Sequence, residues 1–193
     1  MIKFNLSNGK TINVATQLSE IKLQQFENCI DYFNRKYDFD IDLYINLISE
    51  LSDASYDEVE ELDLTEFVSI IPQLEIQDID SVSKTFVNKI EIDNVIYMST
   101  ATENEYKFNV KQIRHIQDII KKQGNAYLVD LAAMIFRAVQ VDGQLEGLDD
   151  KSVERRKKVF ADKMNVEILA PYIIALGQYF SVKLPNIATQ SNG

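Results

Sequence analysis

One loop of this sequence, DGQLEGLDDKSVE over residues 142–154, has the spacing of a calcium-binding loop. Oxygen ligands stand at its first, third and fifth positions: Asp142, Gln144 and Glu146. Gly147 occupies the turn position, but the twelfth position, which must supply a bidentate carboxylate, is Val153. Because the ligand set is short in charge and in coordination number, we interpret the stretch as a polar loop and expect no metal.

Nucleophilic catalysis and zinc binding both need more histidine and cysteine than this chain carries. His115 is the only histidine and lies within a predicted helix, and Cys29 is the only cysteine and falls on an apolar stripe. We therefore expect a surface or packed histidine and a core thiol. The six glycines are scattered and form no phosphate-binding loop. The sequence thus predicts no cofactor and indicates a protein that is not an enzyme.

Two clusters of charge are the remaining candidates for function. The acidic cluster comprises Asp57, Glu58, Glu60, Glu61 and Asp63. It is interpreted first as a solvated face, with docking of a basic partner as the alternative. The basic run ERRKK contains Arg155, Arg156, Lys157 and Lys158. Four consecutive cations point to every side of a helix and no aromatic residues alternate with them, so a solvated helix is favoured over docking on an acidic partner, and either over nucleic-acid binding.

Charge is unevenly distributed along the chain, whose formal net charge is −10 over 193 residues. Residues 1–84 carry 17 acidic and 6 basic side chains, whereas residues 85–193 carry 13 acidic and 14 basic. The acidic first half argues against a nucleic-acid surface there. No apolar run reaches the roughly 18 residues of a membrane span, and the N-terminus lacks the apolar segment of a signal peptide. We expect a protein of the cytoplasm that does not enter a membrane.

The elements that must position these residues are predicted to be mainly α-helices with two small β-hairpins, an α+β fold. Alternating residues flank Asn8-Gly9 and Asp93-Asn94, which predicts hairpins near residues 2–14 and 86–99. Helices are predicted from about Ser19, from Asp40 or Asp42, and after a capping box at Ser55–Glu58. The next helix is expected to bury Leu64, Phe67, Val68, Ile71 and Leu74 and to be limited by Pro72.

In the second half, helical patterns begin at Asn109 and stop at Gly124, and an almost wholly apolar segment over 126–140 is predicted to be the most buried helix. A basic helix over 151–163 follows, and a last helix contains Pro171. Both halves have the pattern of a hairpin followed by helices. The apolar positions of the first, second and last helices of one half match those of the other with offsets of about 87, 84 and 102 residues. We predict an internal duplication with halves 1–76 and 86–184, a junction at 77–85 and a tail at 185–193, which could pack as one unit.

The whole pattern resembles the small tail-assembly chaperones and related assembly proteins of tailed bacteriophages. The resemblance lies in the spacing and residue class of SEIKLQQFENCIDYF, LISELSDASYDEVEELDLTEFVSIIPQLEI, LAAMIFRAV and RRKKVFADKMNVEILAPYIIALGQYF, and it covers roughly residues 1–182. It includes no catalytic or metal motif, so no residue roles carry over. The resemblance implies a non-enzymatic protein of the host cytoplasm that binds a tail component and can become part of the virion.

Four functions remain open at this point. A chaperone-like assembly factor that holds a protein partner comes first, since a helical body can bind a partner's amphipathic segment. A structural virion subunit, such as a connector, baseplate or capsid accessory protein, is the alternative. A nucleic-acid-linked regulator rests on ERRKK alone, and an enzyme has no motif in its favour. The sequence does not identify the partner or the oligomeric state.

Overall fold

A computed structural model describes residues 1–6, 9–34, 40–74, 85–101, 110–123 and 127–176. Its strands and helices in chain order are β1 (Ile2–Asn5), β2 (Thr11–Val14), α1 (Leu23–Asn34), α2 (Ile41–Glu50), α3 (Tyr56–Glu60), α4 (Leu64–Ile70), β3 (Lys89–Ile92), β4 (Val95–Ser99), α5 (Val110–Gln123), α6 (Leu128–Ile135), β5 (Phe136–Ala138), α7 (Asp150–Lys163) and α8 (166–176). The predicted class, mainly α with two small antiparallel hairpins, is confirmed.

Both predicted hairpins form. Strands β1 and β2 pair antiparallel, and Gly9 in their connection has a φ of +83°. Strands β3 and β4 pair across a two-residue turn in which Asp93 and Asn94 have φ of +53° and +61°. Positive φ at both central positions is the mirror-image turn whose twist matches that of the flanking strands, which explains why these residue types occur there.

The second hairpin gains a third strand that the sequence did not predict. The apolar segment expected to be helical over 126–140 ends its helix at Ile135, and Phe136–Ala138 continues as β5, antiparallel to β4. The amide and hydroxyl of Thr100 both donate to the Ile135 carbonyl, at 2.9 and 3.0 Å, which satisfies a carbonyl that the end of the helix leaves open. The helix is therefore shorter than predicted, although seven of its eight residues are buried.

Helix α1 begins four residues later than the sequence suggested, at Leu23 rather than Ser19. The chain before it pairs with the start of α8, where the amide of Leu23 donates to Met164 and the amide of Val166 donates to Ile21, each at 3.0 Å. In a helix capped by Ser19 the Leu23 amide would donate to the Ser19 carbonyl, but here it donates to Met164 instead. Contact with a distant segment thus sets the start of α1.

The buried face of α4 also differs from the prediction. Phe67, Ile70 and Leu74 are buried, whereas Leu64 is 66% exposed and Val68 is 46% exposed. The predicted limit at Pro72 is confirmed, because the helix tightens there into a 3₁₀ turn over Ile71–Gln73. Leu74 follows this turn and is buried, whereas Leu64 and Val68 lie on the exposed side of α4.

The local end signals of two helices are confirmed. The Asp40 carboxylate accepts from the amide of Leu43 at the start of α2. Ser55 and Glu58 form the predicted capping box of α3. The caps predicted at Asn109 and Gly124, most of the junction and the tail at 185–193 lie outside the described residues.

One core cluster draws on both predicted halves. Helix α1 from the first half packs against α6 and α7 of the second as well as against α2. Edge-to-face aromatic pairs join Tyr97 to Phe160 and Phe136 to Tyr172, with ring centroids 4.9 and 5.3 Å apart. The halves therefore share apolar contacts rather than forming separate cores.

A backbone hydrogen bond between the end of a hairpin and the end of a helix occurs at corresponding positions in the two halves. In the first, Ala15 donates to the carbonyl of Leu51 at 2.7 Å, just after β2 and just after α2. In the second, Thr100 donates to Ile135 at 2.9 Å, just after β4 and at the end of α6. These pairs are offset by 85 and 84 residues, close to two of the three offsets of the apolar patterns, 87 and 84 but not 102, and an internal duplication predicts such an agreement. The burial of α4 and α8 does not repeat, because Leu64 is exposed and its predicted counterpart Val166 is buried.

Candidate partner-binding surfaces

Helix α3 exposes three carboxylates on one side. Asp57, Glu60 and Glu61 are spaced as i, i+3 and i+4, which places them on a single helical face. All three are exposed, and Val59 is buried. Within the described ranges no ion pair involves any of them. This face is therefore available to a positively charged group from outside the molecule.

The other two members of the acidic cluster have local structural roles. Glu58 Oε2 accepts from the Ser55 amide at 2.9 Å, and Glu58 Oε1 lies 2.5 Å from Lys10 Nζ of the first hairpin. Asp63 Oδ1 accepts from the Thr65 amide at 2.8 Å and caps α4. The bond from Lys10 lowers the pKa of Glu58, and the bond from the Thr65 amide lowers that of Asp63. The predicted docking cluster thus divides into three outward carboxylates and two structural ones.

The next helix, α4, also exposes two apolar side chains, Leu64 and Val68. Leu64 and Val68 are four residues apart, so they are neighbours on successive turns of the helix. The Cα atoms of Glu60 and Leu64 are at most about 14 Å apart, because four residues of extended chain span no more than about 3.5 Å each. We use the name α3–α4 surface for these exposed residues of the two consecutive helices: Asp57, Glu60, Glu61, Leu64 and Val68.

The basic run on α7 does not form a surface. Arg156 is completely buried, so its predicted exposure for partner binding is wrong. Its Nε donates to the Ala133 carbonyl of α6 at 2.9 Å, and its Nη1 donates to Glu146 Oε2 at 2.6 Å and to the Gly147 carbonyl at 3.1 Å. The inward position follows from helical spacing, since Phe160 four residues later is also buried.

The neighbours of Arg156 in the run are only partly available. Arg155 Nη2 lies 2.6 Å from Glu146 Oε1, and Lys157 Nζ lies 3.0 Å from Asp130 and 3.1 Å from Glu154. Lys158 is exposed and forms no ion pair with any residue that the structure describes. One exposed cation without a partner is too little for a phosphate-binding stripe.

Glu146 is the centre of a bracket that holds the loop after β5 against α7. Its carboxylate binds Arg155 and Arg156, and Arg137 donates to its backbone carbonyl at 2.5 Å. Burial raises the pKa of Glu146, but hydrogen bonds from Arg156 and Arg155 outweigh burial and lower it overall. Among the described buried side chains, Nη2 of Arg156 is the single polar atom without a hydrogen-bond partner. We name the group of Arg137, Glu146, Arg155 and Arg156 the Glu146 bracket.

The calcium-like loop is the segment that this bracket holds. Val139 and Leu145 form an antiparallel bridge, and Gly143 turns the chain between them with a φ of +79°. Asp149 accepts from the amide of Ser152 and caps α7. Among the described residues no group of three or more metal-ligating side chains is placed to hold an ion. The carboxylate of Glu146 instead contacts guanidinium groups.

The single cysteine and the single histidine belong to other helices, α1 and α5. Cys29 is completely buried in α1, as predicted, and burial together with the negative charge of Glu50 raises the pKa of its thiol to about 12. His115 is exposed on α5. A thiol that stays protonated is a poor nucleophile, so Cys29 has the role of a small apolar side chain.

One interacting residue was missed by sequence reasoning. Glu27 of α1 accepts from the amide of Val129 at 2.9 Å and so caps α6 from another helix. Burial raises the pKa of Glu27, although hydrogen bonds from Val129 and Leu128 oppose the rise. The sequence offers one indication of such a contact. Tyr127 stands at the N-cap position of α6 and makes no side-chain capping bond, so the cap has to come from another residue.

Comparison with protein-family models, with curated proteins and with solved structures finds nothing that matches this chain. In the part of the chain that the structure describes, no helix has the length and apolar character needed to cross a membrane.

Proposed function

We propose that this protein is a non-enzymatic assembly factor that holds a protein partner. It would act as do the tail-assembly chaperones and related assembly proteins of tailed bacteriophages, which its sequence resembles. The partner is then a tail or other virion component, met in the host cytoplasm. The observation that carries the proposal is the α3–α4 surface, where carboxylates that pair with no described residue and exposed apolar side chains occur on consecutive helices. Charges of one sign can attract a partner of the opposite charge, and exposed apolar side chains can then contact it.

Charge supports this choice of partner class. The first half has a net charge of −11, from 17 acidic and 6 basic side chains, and the α3–α4 surface belongs to it. A negative surface attracts a basic protein segment and repels phosphate groups. The basic run offers no equal alternative, since Arg156 is buried and Arg155 and Lys157 are in ion pairs.

The test is recovery of the partner with the tagged 193-residue chain from its native source, followed by mass spectrometry. We expect a virion component, and we expect the purified component to bind the purified chain as a complex of defined stoichiometry. Recovery of a metabolic enzyme or of nucleic acid instead would contradict the proposal. If the chain were also found in purified virions at fixed copy number, the structural-subunit alternative would replace the assembly factor.

Association rates then test whether charge steers the encounter. The variant Asp57→Asn/Glu60→Gln/Glu61→Gln leaves Glu58 and Asp63 in their structural roles, so its fold should be intact. We expect slower association with a basic partner, and added salt should have the same effect on the wild type. Lys158→Gln is the matched control and should not slow association. An equal slowing in both variants would mean that the charged residues of α3 do not act locally.

A further inference from the structure

We propose that the outer edge of strand β3 is an interface between two copies of this chain, which pair their β3 strands antiparallel about a two-fold axis. The pairing joins two three-stranded sheets into one sheet of six strands. The inference goes beyond the proposed function, because it concerns a second copy of the chain rather than a virion component, and neither depends on the other.

Strand β3 is one edge of the sheet formed by β3, β4 and β5. The opposite edge is closed, since the loop after β5 returns along it. There the Glu146 amide donates to the Ala138 carbonyl at 2.8 Å, and Val139 forms a bridge with Leu145. In this sheet a further strand can therefore be added only beside β3.

The alternation of hydrogen bonds shows which backbone groups of β3 point outward. The Ser99 amide donates to the Asn88 carbonyl at 2.9 Å, so Asn88 faces β4. In an antiparallel pair every second residue bonds to the neighbouring strand, so Ile90 also faces β4, whereas the amides and carbonyls of Lys89 and Glu91 face away. No described residue outside the hairpin bonds to these outward groups.

The sequence of β3 is complementary to itself when a second copy runs antiparallel. Lys89 and Glu91 are exposed, and Ile90 lies between them. With Ile90 opposite Ile90 of the second copy, each Lys89 lies opposite a Glu91, and the outward backbone groups of the two residues bond to each other. Opposite charges directly across two strands stabilise the pairing.

The neighbouring registers fail for backbone or charge reasons. A shift of one residue places an outward-facing residue opposite an inward-facing one, so the backbone bonds cannot form. A shift of two residues places Lys89 opposite Lys89 or Glu91 opposite Glu91, and like charges opposite each other are destabilising. One register therefore satisfies the backbone and the side chains together.

Strand β1 also forms a sheet edge but lacks this self-complementarity. The Leu6 amide donates to the Lys10 carbonyl at 2.7 Å, so by the same alternation Lys3 and Asn5 face away from β2. Antiparallel pairing of two β1 strands would place Lys3 opposite Asn5 or opposite Lys3. A lysine at a strand edge discourages such pairing. The second copy is therefore the occupant that β3 fits and β1 does not.

Sedimentation velocity of the 193-residue chain from about 1 µM to 1 mM would measure dimerisation. We expect a reversible and weak dimer, because a strand of four residues forms a small interface. Lys89→Glu or Glu91→Lys places like charges opposite each other twice and should weaken dimerisation by about 10-fold or more. Both side chains are exposed and neither belongs to a described ion pair, so each variant should fold, as circular dichroism would show.

Two combinations test the register. The double variant Lys89→Glu/Glu91→Lys restores opposite charges and should dimerise as the wild type does. An equimolar mixture of the two single variants should form a heterodimer, because the acidic strand of one variant meets the basic strand of the other. Lys3→Glu makes the same change on an outward residue of β1 and is the matched control, which should leave dimerisation unchanged.

A chain that stays monomeric at every concentration would overturn the inference. Dimers that persist in both single variants would overturn it too, because another surface would then hold them together. A double variant or a mixture that stays monomeric would reject the register, and with it the interface. Dissociation by Lys3→Glu equal to that by Lys89→Glu would show that β1 takes part instead.

Discussion

At the scale of single residues, Arg156 has the least expected position. It belongs to a run of four cations, yet it is fully buried and bonds to two backbone carbonyls and to Glu146. Burying a guanidinium is costly unless its charge is compensated, and Glu146 provides the opposite charge; Nε and Nη1 find acceptors, whereas Nη2 does not. Arg156 therefore joins α6, α7 and the loop after β5, and this role explains its place in the core.

We expect Arg156→Ala to lower the free energy of unfolding by roughly 3 kcal/mol, because it removes a charged hydrogen bond to Glu146 and the donor to the Ala133 carbonyl, while Arg155 still pairs with Glu146. Urea unfolding would measure the change. Lys158→Ala removes an exposed cation from the same helix and should alter stability by no more than about 0.5 kcal/mol. Equal effects of the two substitutions would show that Arg156 is not part of the core.

The same bracket predicts loss of stability in acid. Because the folded pKa of Glu146 is lowered, its contribution is present above the pKa of the unfolded chain and is lost as the pH falls through the lower folded pKa. We expect the wild type to lose stability relative to Glu146→Gln as the pH falls below about 4.3, the ordinary glutamate value. Unfolding curves of the two proteins between neutral pH and pH 3 would show it, and parallel curves would contradict it.

At the scale of elements, the start of α6 depends on a residue from α1. Glu27 reaches the amide of Val129 and takes the place of a capping side chain that Tyr127 cannot supply. A carboxylate at a helix N-terminus also interacts favourably with the helix dipole. Burial works against it and raises its pKa. The position of α6 against α1 therefore includes a polar contact as well as apolar packing.

Two substitutions separate these effects of Glu27. Glu27→Ala removes the cap and should cost about 1 kcal/mol of unfolding free energy. Glu27→Gln keeps an acceptor oxygen and removes the titration. Since the folded pKa is raised, the wild type loses stability as the pH rises from the unfolded pKa through the folded one, and Glu27→Gln should not show this loss. Thermal unfolding of both variants from pH 4 to pH 7 would check this, and a Gln variant with the wild-type profile would contradict it.

At the scale of the whole molecule, the two predicted halves interlock. Lys22 Nζ bonds to Asn165 Oδ1 at 2.6 Å, next to the backbone pairing of Leu23 with Met164 and of Ile21 with Val166. One core cluster includes residues from both halves. A duplicated hairpin-and-helix unit would in this way have become a single folding unit.

We expect residues 1–76 and residues 86–184, expressed separately, to lack cooperative unfolding, because each would expose the core surface that the other covers. Near-ultraviolet circular dichroism and hydrogen exchange would measure their order, with the 193-residue chain as the control. Two independently folded halves would show that the apolar interface between α1, α6 and α7 is dispensable.

The sequence by itself determined the features that depend on a few neighbouring residues. The turn at Asp93-Asn94, the capping box of Ser55 and Glu58, and the limit at Pro72 are local, since positive φ, a short side-chain bond and a missing amide act within one turn of chain. Helical periodicity likewise placed Cys29 in the core. These features could be predicted because their partners are close in sequence.

Only the tertiary structure decided which groups far apart in sequence satisfy one another. The strand at Phe136–Ala138 exists because β4 offers it an edge, and Arg156 is buried because Glu146 and the carbonyl of Ala133 receive it. The exposure of the Leu64 and Val68 side chains likewise depends on which face of α4 the core covers. A helical pattern shows that an apolar face exists, but the choice between overlapping apolar faces depends on contacts that only the folded chain supplies.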